Sequence, residues 1–247
     1  MGLMFNGKPL PAKIGLEGWS VSTPKLTQRT VDVPDRRGVI YTGSKLGNRA
    51  ISFSMALLAD SGAEAVELQR QLCEWVLSDA PAPLVLPNRE GQYILAQCDT
   101  FPAPDMGQWW ETFDVNFICP APDFIDAFPH RQALDSDLVV DGHWVMDFVT
   151  GGSLSAPVRL SVTLGESVSN LNFFIDDHII ALRGTSEAGA LVIDTETGAV
   201  TLEGVDVTYA ATLASDLAFR LAPGKHRLGW PQSAQLTGAL EWRERWV

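Results

Sequence analysis

The chain has 247 residues, and its 18 Lys and Arg against 30 Asp and Glu leave a net charge of −12. With 46 % hydrophobic and 19 % charged residues it has a globular rather than a disordered balance, and its length suffices for one large or two modest domains. The acid excess argues against nucleic-acid binding, which depends on Lys and Arg at phosphates, and no apolar run approaches the ~20 residues of a bilayer-spanning helix.

No secretory signal is expected, since Met1 to Lys8 offers neither a long apolar stretch nor a small-residue cleavage site. Cys73, Cys98 and Cys119 are odd in number and widely spaced, which argues against a disulfide framework or a CxxC metal site and for a reducing compartment.

In chain order, the first organised signal is Arg49 to Leu57, which alternates apolar with small or polar residues as a half-buried strand does. Ser61-Gly62-Ala63-Glu64 then fits a capping box, with Ser at the N-cap and Glu three residues on. Ala65, Leu68, Leu72, Trp75 and Val76 follow at helical spacing, so a helix is predicted to end near Leu77, ahead of Pro81-Ala82-Pro83. Leu84 to Leu86 and Tyr93 to Ala96 flank a turn-rich segment and read as a hairpin. Phe113 to Phe117 reads as a strand that stops at Cys119-Pro120-Ala121-Pro122, because proline cannot donate to a ladder.

From about Phe124 to Gly152 no strong period is visible, and the stretch reads as a connection with a short strand near Trp144 to Phe148. Beyond it, short apolar runs at 158–164, 171–175, 178–182, 190–193, 199–202, 217–221 and 239–246 are separated by turn signals. Short strands at this spacing without helices predict an antiparallel sandwich.

Candidate chemistry is sparse. Asp176-Asp177-His178 has the spacing of a metal pair if extended, but two acids between apolar runs favour a hairpin turn. Asp141-Gly142-His143 with Ser153 and Ser155 nearby offers the residue types of a triad, without a GxSxG elbow. Gly142, Gly151 and Gly152 lack the Lys and Ser/Thr of a phosphate loop. No catalytic, cofactor-binding or metal-ligating residue is therefore assigned. Eight Trp is high for this length. Trp109-Trp110 point to opposite faces of a strand and place one ring at a surface, while Trp242 and Trp246 are expected in the core with Leu240.

Several segments in order resemble one family. They are Phe5-Asn6-Gly7 with Pro9-Leu10, the run Val31-Asp32-Val33-Pro34-Asp35-Arg36-Arg37-Gly38, and Phe113 to Pro122. Ser155-Ala156-Pro157, Ala190 to Asp194, Leu221 to His226 and the closing Arg245-Trp246 complete the series. Together they are similar to the distal tail protein (Dit) family of siphophages, across essentially the whole chain. Asp35 departs from the glycine frequent there, and the Trp109-Trp110 pair has no counterpart.

The resemblance implies a mainly β protein. An N-terminal β-rich domain over residues 1–130, with one helix and a β-hairpin, would build a hexameric ring. A linker and a galectin-like or carbohydrate-module-like antiparallel β-sandwich would occupy 131–247. It further implies a structural, non-enzymatic virion component at the tail tip, assembled in the host cytoplasm, with no cofactor and no membrane insertion. Its expected partners are further copies of itself, the tail tube protein and a tail-associated lysin or fibre protein, with DNA crossing the lumen without specific binding. Residues 31–49 are expected to form an arm or hairpin that reaches a neighbouring subunit or the tube. The alternative function is a carbohydrate-binding module that adheres to host cell-wall glycan through exposed aromatic rings.

Overall fold

Residues 2–102, 110–232 and 236–247 are described by the computed structural model, and they fall into two units, Met1–Phe124 and Ile125–Val247. The first contains β1 (Met4–Phe5), β2 (Lys8–Pro9), β3 (Ile14–Val21), β4 (Leu26–Asp32), β5 (Val39–Leu46), β6 (Arg49–Leu58), α1 (Gly62–Val76), β7 (Ala82–Val85), β8 (Gln92–Cys98) and β9 (Trp110–Cys119). Seven of these strands form an antiparallel sheet in the order β2-β1-β7-β8-β9-β6-β3, while β4 and β5 pair only with each other. Alternation decides which face is buried: Ile51, Phe53 and Met55 of β6 are fully buried, and Phe117 and Val115 of β9 stand opposite the first two.

Helix α1 begins and ends where the sequence predicts. Ser61 Oγ accepts from Glu64 N (3.3 Å), and the Glu64 carboxylate reaches back to Asp60 N (2.7 Å), one residue beyond the usual capping-box partner. Lys13 Nζ bridges Asp60 and Glu64 at 2.6 Å each, and this ammonium contact holds the Glu64 carboxyl below its ordinary range. Ala65, Leu68, Leu72, Trp75 and Val76 are the buried face. The Trp75 ring meets Phe5 and Phe117 edge-on at 5.9 and 6.2 Å, and its Nε1 donates to Lys8 O (3.0 Å), so the indole is both packed and satisfied.

The second unit contains β10 (Phe124–Asp126), whose first residue closes the first unit, then β11 (His130–Ala133), β12 (Val139–Val140), β13 (His143–Thr150), β14 (Val158–Leu164), β15 (Val168–Ile175), β16 (His178–Ser186), β17 (Gly189–Asp194), β18 (Ala199–Leu202), β19 (Val205–Asp206), β20 (Gly224–Pro231), β21 (Leu236–Trp242) and β22 (Arg245–Trp246). Two antiparallel sheets, β11-β21-β14-β17-β18-β19 and β12-β13-β20-β15-β16, bury one common core. Val158, Leu160, Val162 and Leu164 of β14 face Leu171, Phe173 and Ile175 of β15 and Leu228 and Trp230 of β20 within that core. The expected antiparallel sandwich is present. Opposite Phe174 on β15 stands Gly229 of β20, where an added Cβ would lie 2.0 Å from the Phe174 ring; only glycine lets that ring cover the strand.

Three expectations are corrected, and one strand, β20, is added to those the pattern gives. The stretch 124–152 holds β10 to β13 where one short strand near Trp144 to Phe148 is expected; that strand is β13, extended to His143–Thr150 by pairing along its full length with β20. β20 itself escapes a periodicity reading, since Lys225, His226 and Arg227 put polar groups on both faces. Residues 217–221 are not a strand: Leu221 makes only an isolated bridge to Ala156, and Ala218 N is taken by the Asp216 carboxylate instead of a ladder. The final run breaks at Arg243-Glu244, which leaves Trp242 buried in the core but Trp246 half-buried, with its Nε1 donating to Asp126 (3.1 Å).

Two outcomes follow. Phe117→Ala, at the centre of the aromatic cluster, is expected to destabilise the first unit by about 3–5 kcal/mol in urea unfolding. Burial pushes the Cys119 thiol up to about 12, so it should resist thiol reagents at pH 8 in the native protein and react only on unfolding.

Candidate assembly interface

The hairpin β4–β5 has the marks of a contact surface. Its register runs from Leu26↔Leu46 to Asp32↔Val39, with a bulge opposite Arg29 and Thr30 where the Thr42 hydroxyl donates to Arg29 O (3.0 Å). Every residue of β4 is exposed, and nearly all of β5, so this ribbon buries neither face. At about 3.3 Å per residue its seven-residue arm extends roughly 23 Å. Such an isolated two-stranded ribbon is marginal in water, yet this one displays Leu26, Val31, Val39, Ile40 and Tyr41.

Charge sets the hairpin apart as well. Lys25, Arg29, Arg36, Arg37 and Lys45 face only Asp32 and Asp35 between residues 25 and 47, in a chain whose net charge is −12. The tip turns at Asp35, whose φ of +63° lies in the left-handed region, and at Gly38 with φ +81°. A glycine at position 35 would adopt that conformation without cost, and Asp is among the residues that tolerate it.

The residues with catalytic potential separate. Asp176 and Asp177 form the turn between β15 and β16, with Asp176 at φ +51°. His178 Nδ1 lies 2.8 Å from Asp216 and its ring stacks on Phe219, whereas Asp176 turns to His226, so the two share no site. Asp141 and Gly142 form another tight turn, and His143 Nδ1 faces the Asp141 carbonyl (3.1 Å) rather than Ser153 or Ser155. The Ser153 hydroxyl accepts from Val247 N (2.9 Å).

One polar network was not visible in the sequence. His226, on the core side of β20, places Nδ1 2.7 Å from Asp176 and Nε2 3.0 Å from Thr150 Oγ1. The order Asp–His–Thr imitates a triad, but Ala222 O lies 2.7 Å from Nε2 and also accepts the Thr150 hydroxyl (2.9 Å). The hydroxyl proton is thus directed to a carbonyl, and Thr150 is only 3 % exposed. An open depression of about 480 Å³ is lined by Asp147, Val149, Lys225 and Arg227 and by Asp176 and His226 of the network itself. There Arg227 forms a bidentate pair with Asp147 (2.7 and 3.2 Å), which holds the Asp147 carboxyl low. This ion pair fastens β13 to β20.

Of the aromatic pair 109–110, Trp109 lies outside the described residues, while Trp110 is exposed at the start of β9. In the second unit Phe128 and Tyr209 are exposed as single rings, and among the described residues no two exposed aromatic rings stack.

Both halves of the chain and its fold are similar to known phage tail proteins. Residues 13–119 match the phage tail protein RIFT-related domain, and residues 151–246 match the C-terminal domain of the siphovirus-type tail component. The fold is similar to the crystal structure of SPP1 Dit, described as a paradigm of hub adsorption apparatus in phages infecting Gram-positive hosts, with TM-score 0.81 and 12 % identity over 100 % of this chain and 99 % of that one. It is also similar to chains of the phage p2 baseplate in its activated conformation, with Sr (TM-score 0.52, 9 % identity) and with Ca (TM-score 0.51, 7 % identity). Each of these covers 94 % of this chain and 91 % of that one. No curated protein sequence matches the chain.

Matched in both halves and in order, the molecule is a structural component of a phage tail hub or baseplate. It belongs to the distal tail protein family of siphophages.

If the buried network is structural, His226→Ala should cost about 1–3 kcal/mol by leaving Asp176 and Thr150 without their ring partner. Urea unfolding followed by tryptophan fluorescence checks this.

Proposed function

We propose that the chain assembles as a ring, hexameric by resemblance to its family, at the distal end of a long non-contractile tail. In this reading the ring joins the tail tube to a tail-associated lysin or fibre protein, and DNA leaves through its lumen. The virion tail is its working location, with assembly in the host cytoplasm.

The observation that carries this reading is the β4–β5 hairpin: basic, apolar and buried on neither face, on a chain that is acidic overall. A cationic ribbon on an anionic protein is complementary to another copy of that protein, so its occupant is a second copy of this chain. Contact between a hairpin and a different surface of the next copy is heterologous, and such contacts close into rings when the rotation permits. Covering Leu26, Val31 and Tyr41 would supply the burial that the isolated ribbon lacks. The acid surplus elsewhere suits passage of DNA without adhesion, because negative walls repel phosphates.

Reversing the tip charges, Arg36→Glu with Arg37→Glu, should weaken self-association by at least tenfold while leaving the circular dichroism spectrum unchanged. Light scattering across a concentration series and negative-stain imaging read the result. Rings that form as readily from the variant as from the parent would overturn the hairpin's role.

A further inference from the structure

Away from the hairpin, the second unit brings Glu244 up against Asp126 and His130, two side chains four residues apart near its start. Asp126 ends β10, His130 begins β11, and Glu244 lies between β21 and β22. One ligand-capable atom from each lies within 4.8 Å of the others. His130 Nε2 stands 3.1 Å from Asp126 Oδ2 and 3.7 Å from Glu244 Oε1. We propose that Asp126, His130 and Glu244 form a site for a divalent transition-metal ion of the Zn²⁺ class.

The spacing carries the first part of the argument. Metal bonds of about 2.0–2.1 Å in a tetrahedron set neighbouring donor atoms about 3.3–3.4 Å apart. The two measured separations bracket that edge. At 3.7 Å the Glu244 oxygen is beyond hydrogen-bond reach of the imidazole, though still within ion-pair range.

Preorganisation carries the second part. Trp246 Nε1 donates to Asp126 Oδ1 (3.1 Å), which leaves Oδ2 directed at the imidazole. Gly151 N donates to Glu244 Oε1 (2.8 Å), and a Cβ at position 151 would lie 2.5 Å from both oxygens of that carboxylate. The carboxylate therefore rests in a cradle that only glycine leaves open. The His130 ring is stacked on Trp242 at 5.7 Å and 16°, and Trp242 is anchored in the core. Both carboxylate side chains are mostly buried, at 18 % and 15 % exposure, while His130 at 45 % leaves an approach from solvent. All three donors are thus oriented by partners outside the site, as metal ligands usually are.

Donor chemistry selects the ion. One imidazole nitrogen with two carboxylate oxygens suits Zn²⁺ or Co²⁺, whereas Ca²⁺ requires six to eight oxygens. Three protein ligands leave a position for water. Because Asp126 and His130 lie on the first two strands of the unit and Glu244 just before its last, with Asp126 N already donating to Glu244 O (3.1 Å), a bound ion would clasp the unit's two ends.

The test uses the full chain, stripped with a chelator and then titrated separately with Zn²⁺ and Co²⁺. One equivalent of Zn²⁺ per chain should remain after desalting, and Co²⁺ should produce visible d–d absorption. His130→Gln and Glu244→Gln should each weaken Zn²⁺ binding by at least about tenfold, while His178→Gln should leave it unchanged. Glu244→Gln keeps an acceptor for Gly151 N, and circular dichroism verifies that each variant is folded. No stoichiometric uptake, or uptake indifferent to both ligand variants, overturns the proposal. The readout is metal per chain, so it is independent of whether rings form.

Discussion

Burial of alternate side chains from antiparallel strands is the interaction on which this molecule depends. In the first unit it sets Ile51, Phe53, Val115 and Phe117 against the face that also receives Trp75. In the second it fills the space between two sheets with the inward residues of β14, β15, β17 and β20. A strand in such an arrangement has one face for the core and one for everything else. Function in a scaffold of this kind resides in whatever remains uncovered.

The β4–β5 hairpin is the element that departs from that rule. It leaves the sheet of its own unit, buries neither face and combines cations with exposed apolar groups. A stable domain gains little from such a ribbon by itself, whereas an assembly gains a graft for a neighbouring subunit. The polar networks inside the second unit act differently. Asp147 with Arg227, and Asp176 with His226, fasten strands of one sheet. That pattern accords with the structural role shared by the family and its structural neighbours.

Much of the local structure was legible in the sequence because local physics controls it. The capping box and three-to-four spacing gave α1 its ends and its buried face, and the paired acids at Asp176-Asp177 gave a turn. Asp35 showed how a residue other than glycine can hold a left-handed position. Where local signals conflicted, the reading failed. β20 carries polar residues on both faces because His226 is satisfied inside the core by partners 50 and 76 residues away. Residues 217–221 look apolar enough for a strand, but Ala218 N goes to the Asp216 carboxylate and Leu221 makes only an isolated bridge to Ala156.

By itself the chain determined the one helix with its ends, many of the strands and the two-part β architecture, since period, caps and turn residues act over a few positions. Only the tertiary structure decided which distant groups meet. Asp126 and His130 come within reach of Glu244, and Asp176 within reach of His226, through strand pairing and register between segments far apart in sequence. No local pattern encodes that pairing, because it follows from which sheet faces can bury one another.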